Sequence, residues 1–402
     1  MLKVLSVFGT RPEAIKMSPL VRAMAARPKE IASKVCVTAQ HRQMLDEMLN
    51  LFAITPDFDL DVMEEGQSPT RVAAAVLSRL EPVLLAEKPD WVLVQGDTTT
   101  TAAAAFAAFH AGAKVGHVEA GLRTGDRRQP FPEEVNRRVA GLVADMHFAP
   151  TERARRDLLA EGVPGESVLV TGNTAVDALA WALRQEPPAE LTGLLRGMGV
   201  PDGPPSRRTL TQEAASPPND GGPKLILATA HRRENFGRPL EAVCEALRAV
   251  AARYRGNVQI IYPVHSNPRV SETVRRLLGA TPNITLTPPL GYLPMIHLMG
   301  RCHLILTDSG GLLEEAPSLG KPVLILRRVT ERPEALEAGW ARVVGVESGA
   351  IFSEVVRLLD DHAALRAMTP SGNPFGDGRA SERIVRALLG SQGAAADATA
   401  VC

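Results

Sequence analysis

Residues 304–326 read LILTDSGGLLEEAPSLGKPVLIL, and the fold class can be argued outward from this segment. The runs 304–307 and 322–326 are apolar and partly β-branched, as in strands that are buried on both faces of a parallel sheet. Between them there is room for one tight turn and one short helix. The segment therefore predicts a crossover of strand, helix and parallel strand, which is the unit of an α/β protein.

The turn at 308–311, Asp-Ser-Gly-Gly, has the features of a phosphate site. Backbone N–H groups are exposed where a helix begins, and glycine lets a bulky anion approach closely. Glu314 and Glu315 fall in the first helical turn and would repel a phosphate that they faced. We expect at least one of them to turn elsewhere, and a ribose hydroxyl would suit a carboxylate acceptor. A capped helix behind an ordinary glycine turn is the alternative.

Length, charge and cysteine content narrow the class of protein. The 402 residues predict two domains, and the 45 basic and 45 acidic residues cancel, so no global field favours nucleic acid or anionic lipid. Aromatic residues make up only 4%, which favours helices on a parallel sheet over a base-stacking surface. No apolar run reaches 18 residues, so we expect a soluble protein. The four cysteines, Cys36, Cys244, Cys302 and Cys402, show neither the spacing of a zinc site nor that of a disulfide framework. We therefore expect a protein of the reducing cytoplasm that holds no metal.

Two cations follow the first predicted strand, residues 2–8. The segment GTRPE turns into a helix, and Arg11 and Lys16 would lie at the carboxyl edge, where open α/β sheets bind ligands. The pattern GxGxxG is absent here, which argues against a nicotinamide dinucleotide and leaves Arg11 able to hold a diphosphate through two hydrogen bonds. Two solvated charges at a helix start are the alternative.

Three acids in the first half are candidates for chemistry. Asp97 follows the strand predicted at 91–95, and it either caps the next helix or serves a function. Glu119 follows the strand predicted at 114–118, and a carboxylate at the end of a buried strand needs a partner or a role. Glu133 follows Pro-Phe-Pro at the start of a helix, where an acid also has an ordinary structural use.

The second half begins after a change in composition. Prolines cluster between residues 186 and 223, and residues 201–222 are predicted to be a mobile surface insertion. The strand predicted at 224–228 leads to His231. A histidine at a strand end beside two arginines and a glutamate indicates a ligand-binding role, and a hydrogen-bonded structural group is the alternative. The alanine-rich tail, residues 391–402, is predicted to be disordered.

A series of short motifs runs through the chain in order: GTRPEAIKMSPL, TAQHRQMLD, QGDTTT, HVEAGLRTGD, PFPEEVNRR, TGNTAVDAL, TAHRRENFG, YPVHSNP, TDSGGLLEEAPSLGKPVL, TERPEALEAG and NPFGDGRASERI. By these motifs the chain resembles the non-hydrolysing UDP-N-acetylglucosamine 2-epimerases, from residue 2 to about residue 390. The resemblance implies an isomerase that interconverts UDP-GlcNAc and UDP-ManNAc by eliminating UDP to a glycal and adding it back. No cofactor is implied.

The resemblance also implies the architecture. Two Rossmann-like domains of the glycosyltransferase-B type would have an active-site cleft between them. The first would comprise residues 1–172 and the second, which binds UDP, residues 173–375, while a helix at about 376–390 would return to the first domain. A homodimer is implied as well. The expected partners are UDP-GlcNAc, UDP-ManNAc and UDP, with no nucleic acid and no membrane.

Three sets of site residues follow from the resemblance, position by position. Catalysis would be carried out by Asp97, Glu119, Glu133 and His231. The substrate would be bound by Arg11, Lys16, Ser309, Gly310, Gly311, Glu315 and Arg332. A second UDP-GlcNAc, which bacterial members hold as an allosteric activator, would be bound by Gln40, Gln43, Arg232, Glu234 and His265, with Glu133 shared.

The chain departs from the family pattern at a few positions. Leu313 replaces the usual Gln, Arg328-Val329 replaces Asp-Thr, Gly291 replaces Asp, and the segment 201–222 is an unusual insertion. These departures bear on the sugar preference and on the activator response more than on the chemistry. Two kinds of alternative remain: a hydrolysing epimerase or glycosyltransferase of the same fold, and a non-catalytic nucleotide-sugar sensor.

Overall fold

A computed structural model describes residues 1–201, 222–330 and 332–399, with side chains to residue 391. The chain forms two compact α/β units, Met1–Ala178 together with the chain from Phe375 onward, and Leu179–Pro374. The insertion predicted at 201–222 lies outside the described residues except for its two ends. Along the described parts of the chain, no helix is both long and apolar enough to cross a lipid bilayer.

The first unit contains a seven-stranded parallel sheet in the order β3-β2-β1-β4-β5-β6-β7. Its strands are β1 (Leu2–Phe8), β2 (Ile31–Val37), β3 (Phe58–Asp59), β4 (Trp91–Gln95), β5 (Lys114–Val118), β6 (Met146–Ala149) and β7 (Val168–Val170). Its helices are α1 (Arg11–Ala25), α2 (Arg42–Phe52), α3 (Pro69–Glu87), α4 (Thr99–His110), α5 (Glu133–Val143), α6 (Glu152–Ala160) and the start of α7 (Thr174–Ala182).

The second unit contains a six-stranded parallel sheet in the order β10-β9-β8-β11-β12-β13. Its strands are β8 (Lys224–Thr229), β9 (Val258–Pro263), β10 (Ile284–Thr287), β11 (Leu304–Thr307), β12 (Val323–Ile325) and β13 (Ala341–Val343). Its helices are α8 (Ala189–Gly197), α9 (Arg238–Arg253), α10 (Pro268–Leu278), α11 (Tyr292–Arg301), α12 (Gly310–Glu315), α13 (Pro333–Glu337), α14 (Ser348–Asp360) and α15 (His362–Ala367).

The crossover predicted from 304–326 is confirmed. Strands β11 and β12 are parallel neighbours, with Ile305 opposite Val323, and α12 connects them. Both strands are fully buried because helices cover both faces of the sheet. In the second unit's core, Leu306 packs with Ile226, Val243 and other apolar residues of the sheet and of α9 and α14. Truncation of such a residue to alanine typically costs about 2–5 kcal/mol of stability.

Each sheet reverses its strand order once, between β1 and β4 in the first unit and between β8 and β11 in the second. Open α/β sheets bind ligands at this topological switch point, just beyond the carboxyl ends of the strands. The turns after these four strands begin at Gly9, Gly96, Ala230 and Asp308. The two Rossmann-like parallel sheets predicted from the sequence are thus confirmed, and the turns at the switch points carry some of the predicted site residues, among them Asp97, His231 and Ser309.

The last helix, α16 (Ala380–Thr399), belongs to the first unit and packs on α1. Its first turn is capped by Asp177, whose carboxylate accepts the N–H groups of Ala380 at 3.1 Å and Ser381 at 2.8 Å. Because Asp177 and its neighbours bond to this helix, the first unit extends to Ala178 rather than ending at residue 172. The helix also continues to Thr399 through part of the predicted disordered tail, since alanine has a high helix propensity.

Candidate active site

The turn after β1 is held by a buried carboxylate. Glu13 accepts hydrogen bonds from the N–H groups of Gly9 at 2.9 Å and Thr10 at 2.8 Å, and its other oxygen contacts the hydroxyl of Thr98 at 2.5 Å. A Cβ on Gly9 would stand only 1.8 Å from the Thr38 hydroxyl, so this close approach of turn and strand requires glycine. Glu13 therefore joins the turn after β1 to the turn after β4.

Arg11 and Lys16 lie on α1, which starts from this turn. Arg11 is the first helical residue, and its side chain makes no hydrogen bond or ion pair with the residues that the structure describes. Lys16 forms an ion pair with Glu119, and both side chains are largely buried. The structure thus brings a predicted substrate-binding cation onto a predicted catalytic acid.

Glu119 lies directly after β5 in a left-handed backbone conformation, with φ of 63°. This conformation is uncommon for a residue with a side chain, and such backbone strain is concentrated at functional sites. The same carboxylate oxygen that pairs with Lys16 accepts a hydrogen bond from the Asn173 amide at 3.0 Å. A Cβ built on Gly96 would lie 3.9 Å from the other oxygen, so the Glu119 carboxylate stands beside the turn that carries Asp97.

Asp97 is not the cap of α4. Thr98 has that role, because its hydroxyl accepts the N–H of Thr101 at 3.1 Å. The Asp97 carboxylate instead accepts a hydrogen bond from Arg137 at 2.5 Å, and its backbone carbonyl accepts one from the Asn136 amide at 3.0 Å. Of the two roles that the sequence left open for Asp97, capping of α4 is therefore excluded.

Glu133 begins α5, one turn before the two residues that bond to Asp97. The acid beside it, Glu134, is fully buried and has a structural use: it pairs with Arg137 at 3.1 Å and accepts the N–H groups of Thr124 at 3.1 Å and Gly125 at 3.3 Å. Glu133 itself is half-buried at the helix start. The first turn of α5 thus brings Glu133 to the same sheet edge as Asp97.

In the second unit, Asp308 at the end of β11 organises the turn that follows β8. Its Oδ2 accepts the N–H groups of His231 and Arg232, each at 2.8 Å, and the amide of Asn235 at 2.9 Å. The imidazole of His231 stacks on that of His265, with ring centroids 5.2 Å apart and planes at 8°. Burial lowers the pKa of His231, while the nearby Asp308 opposes this effect.

The predicted phosphate turn differs in one respect from the expectation. The N–H of Ser309 donates to the Thr307 hydroxyl at 2.9 Å, so it is already used within the turn. Gly310 and Gly311 are the first two residues of α12, and N–H groups at such positions have no intrahelical acceptor. A Cβ on Gly310 would meet the end of the Arg232 side chain at 3.5 Å, which puts this arginine at the turn.

The two glutamates of α12 separate as expected, because Glu314 turns inward. It is buried and forms an ion pair with the Nε of Arg332 at 2.6 Å, whereas Glu315 is half-buried. Arg332, a predicted substrate-binding residue, is therefore already paired with a carboxylate. Turning Glu314 away removes one negative charge from the predicted phosphate turn.

The residues predicted to hold an activator fall in both units. In the first, Gln40 accepts a hydrogen bond from the Thr100 hydroxyl at 2.9 Å, and Gln43 is exposed on α2. In the second, Glu234 pairs with Arg327 at 2.5 Å, and Arg232 and His265 lie near Gly310 and His231 as described above. The second-unit members of this set are thus close to residues predicted to bind substrate or to act in catalysis.

Four residues of these clusters were not predicted from the sequence: Glu13, Arg137, Asn173 and Asp308. Each acts by bonding to a candidate residue or its turn, and each lies inside a quoted motif, but nothing in the motif distinguishes it from its neighbours. Among the described residues, no three or more His, Cys, Asp and Glu side chains are grouped so as to hold a metal ion.

Fold and site together define a class of protein: an α/β enzyme with two Rossmann-like units whose candidate site residues lie at the carboxyl ends of the parallel strands. The chain belongs to the UDP-N-acetylglucosamine 2-epimerase family, whose model matches residues 22–389. It is 51% identical to the UDP-N-acetylglucosamine 2-epimerase of Salmonella typhimurium over 96% of this chain and 98% of that relative. The predicted family and the predicted isomerase activity are confirmed.

Solved structures agree with this assignment. The UDP-GlcNAc 2-epimerase of Neisseria meningitidis bound to UDP-GlcNAc has a TM-score of 0.83 and 44% identity, covering 96% of this chain and all of that one. The Methanocaldococcus jannaschii UDP-GlcNAc 2-epimerase in complex with UDP-GlcNAc and UDP has a TM-score of 0.76 and 32% identity, covering 96% of this chain and 99% of that one. Both similarities extend over both units.

Proposed function

We propose that the chain interconverts UDP-GlcNAc and UDP-ManNAc without releasing free sugar. The family assignment supports the substrate. The single observation that carries the chemistry is the juxtaposition of Glu119 with the Gly96-Asp97 turn at the switch-point edge of the first sheet. Two carboxylates on neighbouring strand ends are suited to proton transfer at one carbon atom.

The reaction needs a leaving group because the C2 proton of N-acetylglucosamine is not next to a carbonyl. As the C1–O bond breaks, its electron pair leaves with UDP, and a carboxylate takes the C2 proton, giving a glycal with a C1–C2 double bond. Addition of UDP at C1 and of a proton at C2 from the opposite face gives the mannose isomer. Two acid–base groups on opposite faces are required, and Asp97, Glu119 and Glu133 are available for these roles.

The diphosphate gains negative charge as the C1–O bond breaks. In this proposal Arg11 and the amides of Gly310 and Gly311 stabilise that charge, and His231 acts on the same phosphates as a hydrogen-bond donor or acid. Glu315 accepts from a ribose hydroxyl. Ser309 contributes its side chain rather than its backbone amide, since that amide already donates to Thr307.

A second UDP-GlcNAc is proposed as an activator, held by the residues named above. The support from contacts is local: His265 of this set stacks on His231, and Arg232 lies beside Gly310. A bound activator that moved His265 would affect His231 through this one contact, and one that moved Arg232 would affect the turn at Gly310. Trace UDP-GlcNAc should then accelerate the conversion of UDP-ManNAc, and a His265→Ala variant should lose this acceleration while still binding UDP.

We also propose that the chain forms a homodimer through its first unit. Its expected location is the cytoplasm. The neighbouring helices α3, α4 and α5 carry large exposed apolar side chains near their carboxyl ends: Leu85 at 60%, Phe109 at 56% and Leu142 at 85% exposure. Large apolar side chains exposed on neighbouring helices can form a protein interface. Light scattering should give twice the chain mass, and Phe109→Ser with Leu142→Ser should give monomers. Met63→Ser, at an exposed apolar residue elsewhere, is the control.

Solvent exchange and product analysis test the proposed reaction together. In D₂O an epimerase incorporates deuterium at C2 and yields intact UDP-ManNAc. Free sugar appearing in step with UDP would instead indicate a hydrolysing enzyme of the same fold. Binding of UDP-GlcNAc with no deuterium at C2 would indicate a non-catalytic sensor. Either of these results would overturn the proposal.

A further inference from the structure

Asp308 divides its two carboxylate oxygens between two tasks. Its Oδ2 accepts all three hydrogen bonds from the 231–235 turn. Its Oδ1 is buried, makes no hydrogen bond with the described residues, and lies 3.4 Å from Nδ1 of His231. A buried carboxylate oxygen without a hydrogen bond is costly, and an imidazole N–H close to it can offset this cost.

Three charged or titratable groups face the His231 ring. Asp308 approaches from the end of β11, His265 stacks from the segment after β9, and Arg232 follows in the same turn. The last two disfavour the imidazolium, and burial does so more strongly, whereas Asp308 favours it. Asp308 is therefore the described group that stabilises a proton on this histidine.

We propose that Asp308 is the positioning residue of His231: it holds Nδ1 as the protonated nitrogen and leaves Nε2 to exchange a proton or hydrogen bond with the substrate. The part played by the substrate rests on the function proposed above, whereas the orientation of the ring does not. A carboxylate behind an imidazole fixes the tautomer and supports the charged form when the other nitrogen gains a proton. Because Ser309 is the next residue, Asp308 also fixes His231 relative to the phosphate turn.

Asp308→Asn separates this role from a purely structural clamp. The amide oxygen can accept the same three N–H groups, which keeps the turn in place, while the NH₂ group then faces Nδ1. An NH₂ group is a donor, so it favours the opposite tautomer and gives no support to the imidazolium. If Asp308 served only to hold the turn through its three hydrogen bonds, the tautomer and the pKa of His231 would be nearly unchanged in this variant.

The test is magnetic resonance of imidazole carbon and nitrogen nuclei in the full chain, with the His231 signals assigned by their loss in His231→Gln. The wild-type protein is expected to show His231 protonated at Nδ1. In Asp308→Asn the pKa of His231 is expected to fall by about one unit or more, which is the usual effect of losing a nearby opposite charge. Asp177→Asn, at a buried carboxylate that likewise accepts two backbone N–H groups, should leave His231 unchanged.

Activity gives a second readout. The rate of C2 exchange in Asp308→Asn should fall at least tenfold at neutral pH, with its pH optimum shifted to lower pH, and should fall no further in the double variant with His231→Gln. An unprotonated Nδ1 in the wild-type protein, or an unchanged His231 pKa in Asp308→Asn, would overturn the proposal. If no variant and no wild-type sample exchanges C2, the proposed function fails, while the tautomer and pKa still decide the role of Asp308.

Discussion

The guanidinium of Arg137 bridges Asp97 and Glu134, with N–O distances of 2.5 Å and 3.1 Å. It is largely buried, and it also approaches the carbonyl of Leu122 at 3.3 Å. The planar guanidinium presents rigidly spaced N–H groups to the two carboxylates, whereas an ammonium group is a compact point charge on a flexible stem. Arg137 therefore fixes the orientation of a candidate catalytic acid from the first turns of α5.

Arg137→Lys should keep the charge but lose the bridge. We expect the rate of C2 deuterium exchange to fall about 100-fold, the loss typical of a reacting group displaced by about 1 Å. Arg138→Lys is the matched control, because Arg138 also pairs with Glu134, at 3.3 Å, but is more exposed and does not contact Asp97. Equal losses of exchange rate in the two variants would show that the effect comes from pairing with Glu134 and not from the contact with Asp97.

Asp97→Asn and Glu119→Gln test the acids themselves. Each replacement keeps the shape but removes the ability to take a proton, so turnover should fall by about 10²- to 10⁴-fold, as is usual for a lost acid–base group. UDP binding, measured by calorimetry, should persist because neither acid is assigned to the diphosphate. Near-normal turnover in either variant would remove that residue from the mechanism.

The adjacent acids of α12 should behave differently on amidation. Glu314→Gln weakens the buried pair with Arg332 and should lower the free energy of unfolding in urea by about 2 kcal/mol. Glu315→Gln should instead weaken UDP binding about tenfold, the equivalent of one charged hydrogen bond, with little loss of stability. The two variants control for each other, and the reverse pattern would contradict the assignment.

The pKa of the Glu13 carboxyl is expected to be raised in the folded protein. The Thr101 hydroxyl lies 2.6 Å from the carbonyl oxygen of Gln95, which can only accept, so its single proton is used there. The 3.0 Å approach of the Thr101 hydroxyl to Glu13 then gives the Glu13 carboxylate little stabilisation. Burial likewise raises the pKa of this carboxyl, and its hydrogen bonds only partly offset the effect.

A raised carboxyl pKa gives a definite sign to the pH dependence of stability. The folded state binds more protons than the unfolded state above the ordinary pKa of 4.5, so this contribution to stability falls as pH rises through the raised pKa. Glu13→Gln mimics the protonated acid and should gain stability relative to wild type over that range, by at most about 1.4 kcal/mol per pH unit. Urea unfolding at several pH values measures this.

Asp59→Asn is a control for which the pH dependence of stability should have the opposite sign. Hydrogen bonding to Arg42 lowers the pKa of Asp59, so the wild-type pair is lost as pH falls through that lowered pKa, and the variant should gain relative stability on acidification. A Glu13→Gln stability that runs parallel to wild type at all pH values would show that Glu13 is ionised in the folded protein.

Much of this protein can be predicted from local sequence. Buried parallel strands are continuous apolar runs, so 304–307, 91–95 and 114–118 predict their strands directly, and polar side chains at their carboxyl ends predict where ligands bind. The edge strand β3 is only two residues long, Phe58–Asp59, and has one neighbouring strand. Ordered motifs are also sufficient to predict the family, which the comparisons confirm.

The partners of the site residues could be decided only by the tertiary structure. Lys16 and Glu119 are 103 residues apart in the chain, and Asp308 and His231 are 77 residues apart. Which of two adjacent acids turns inward, as at Glu314-Glu315, depends on an arginine that lies 18 residues further along the chain. The spacing of residues in the sequence determines which way a side chain points within its own helix or strand. Which charged side chains meet depends instead on which strands are neighbours in the sheet.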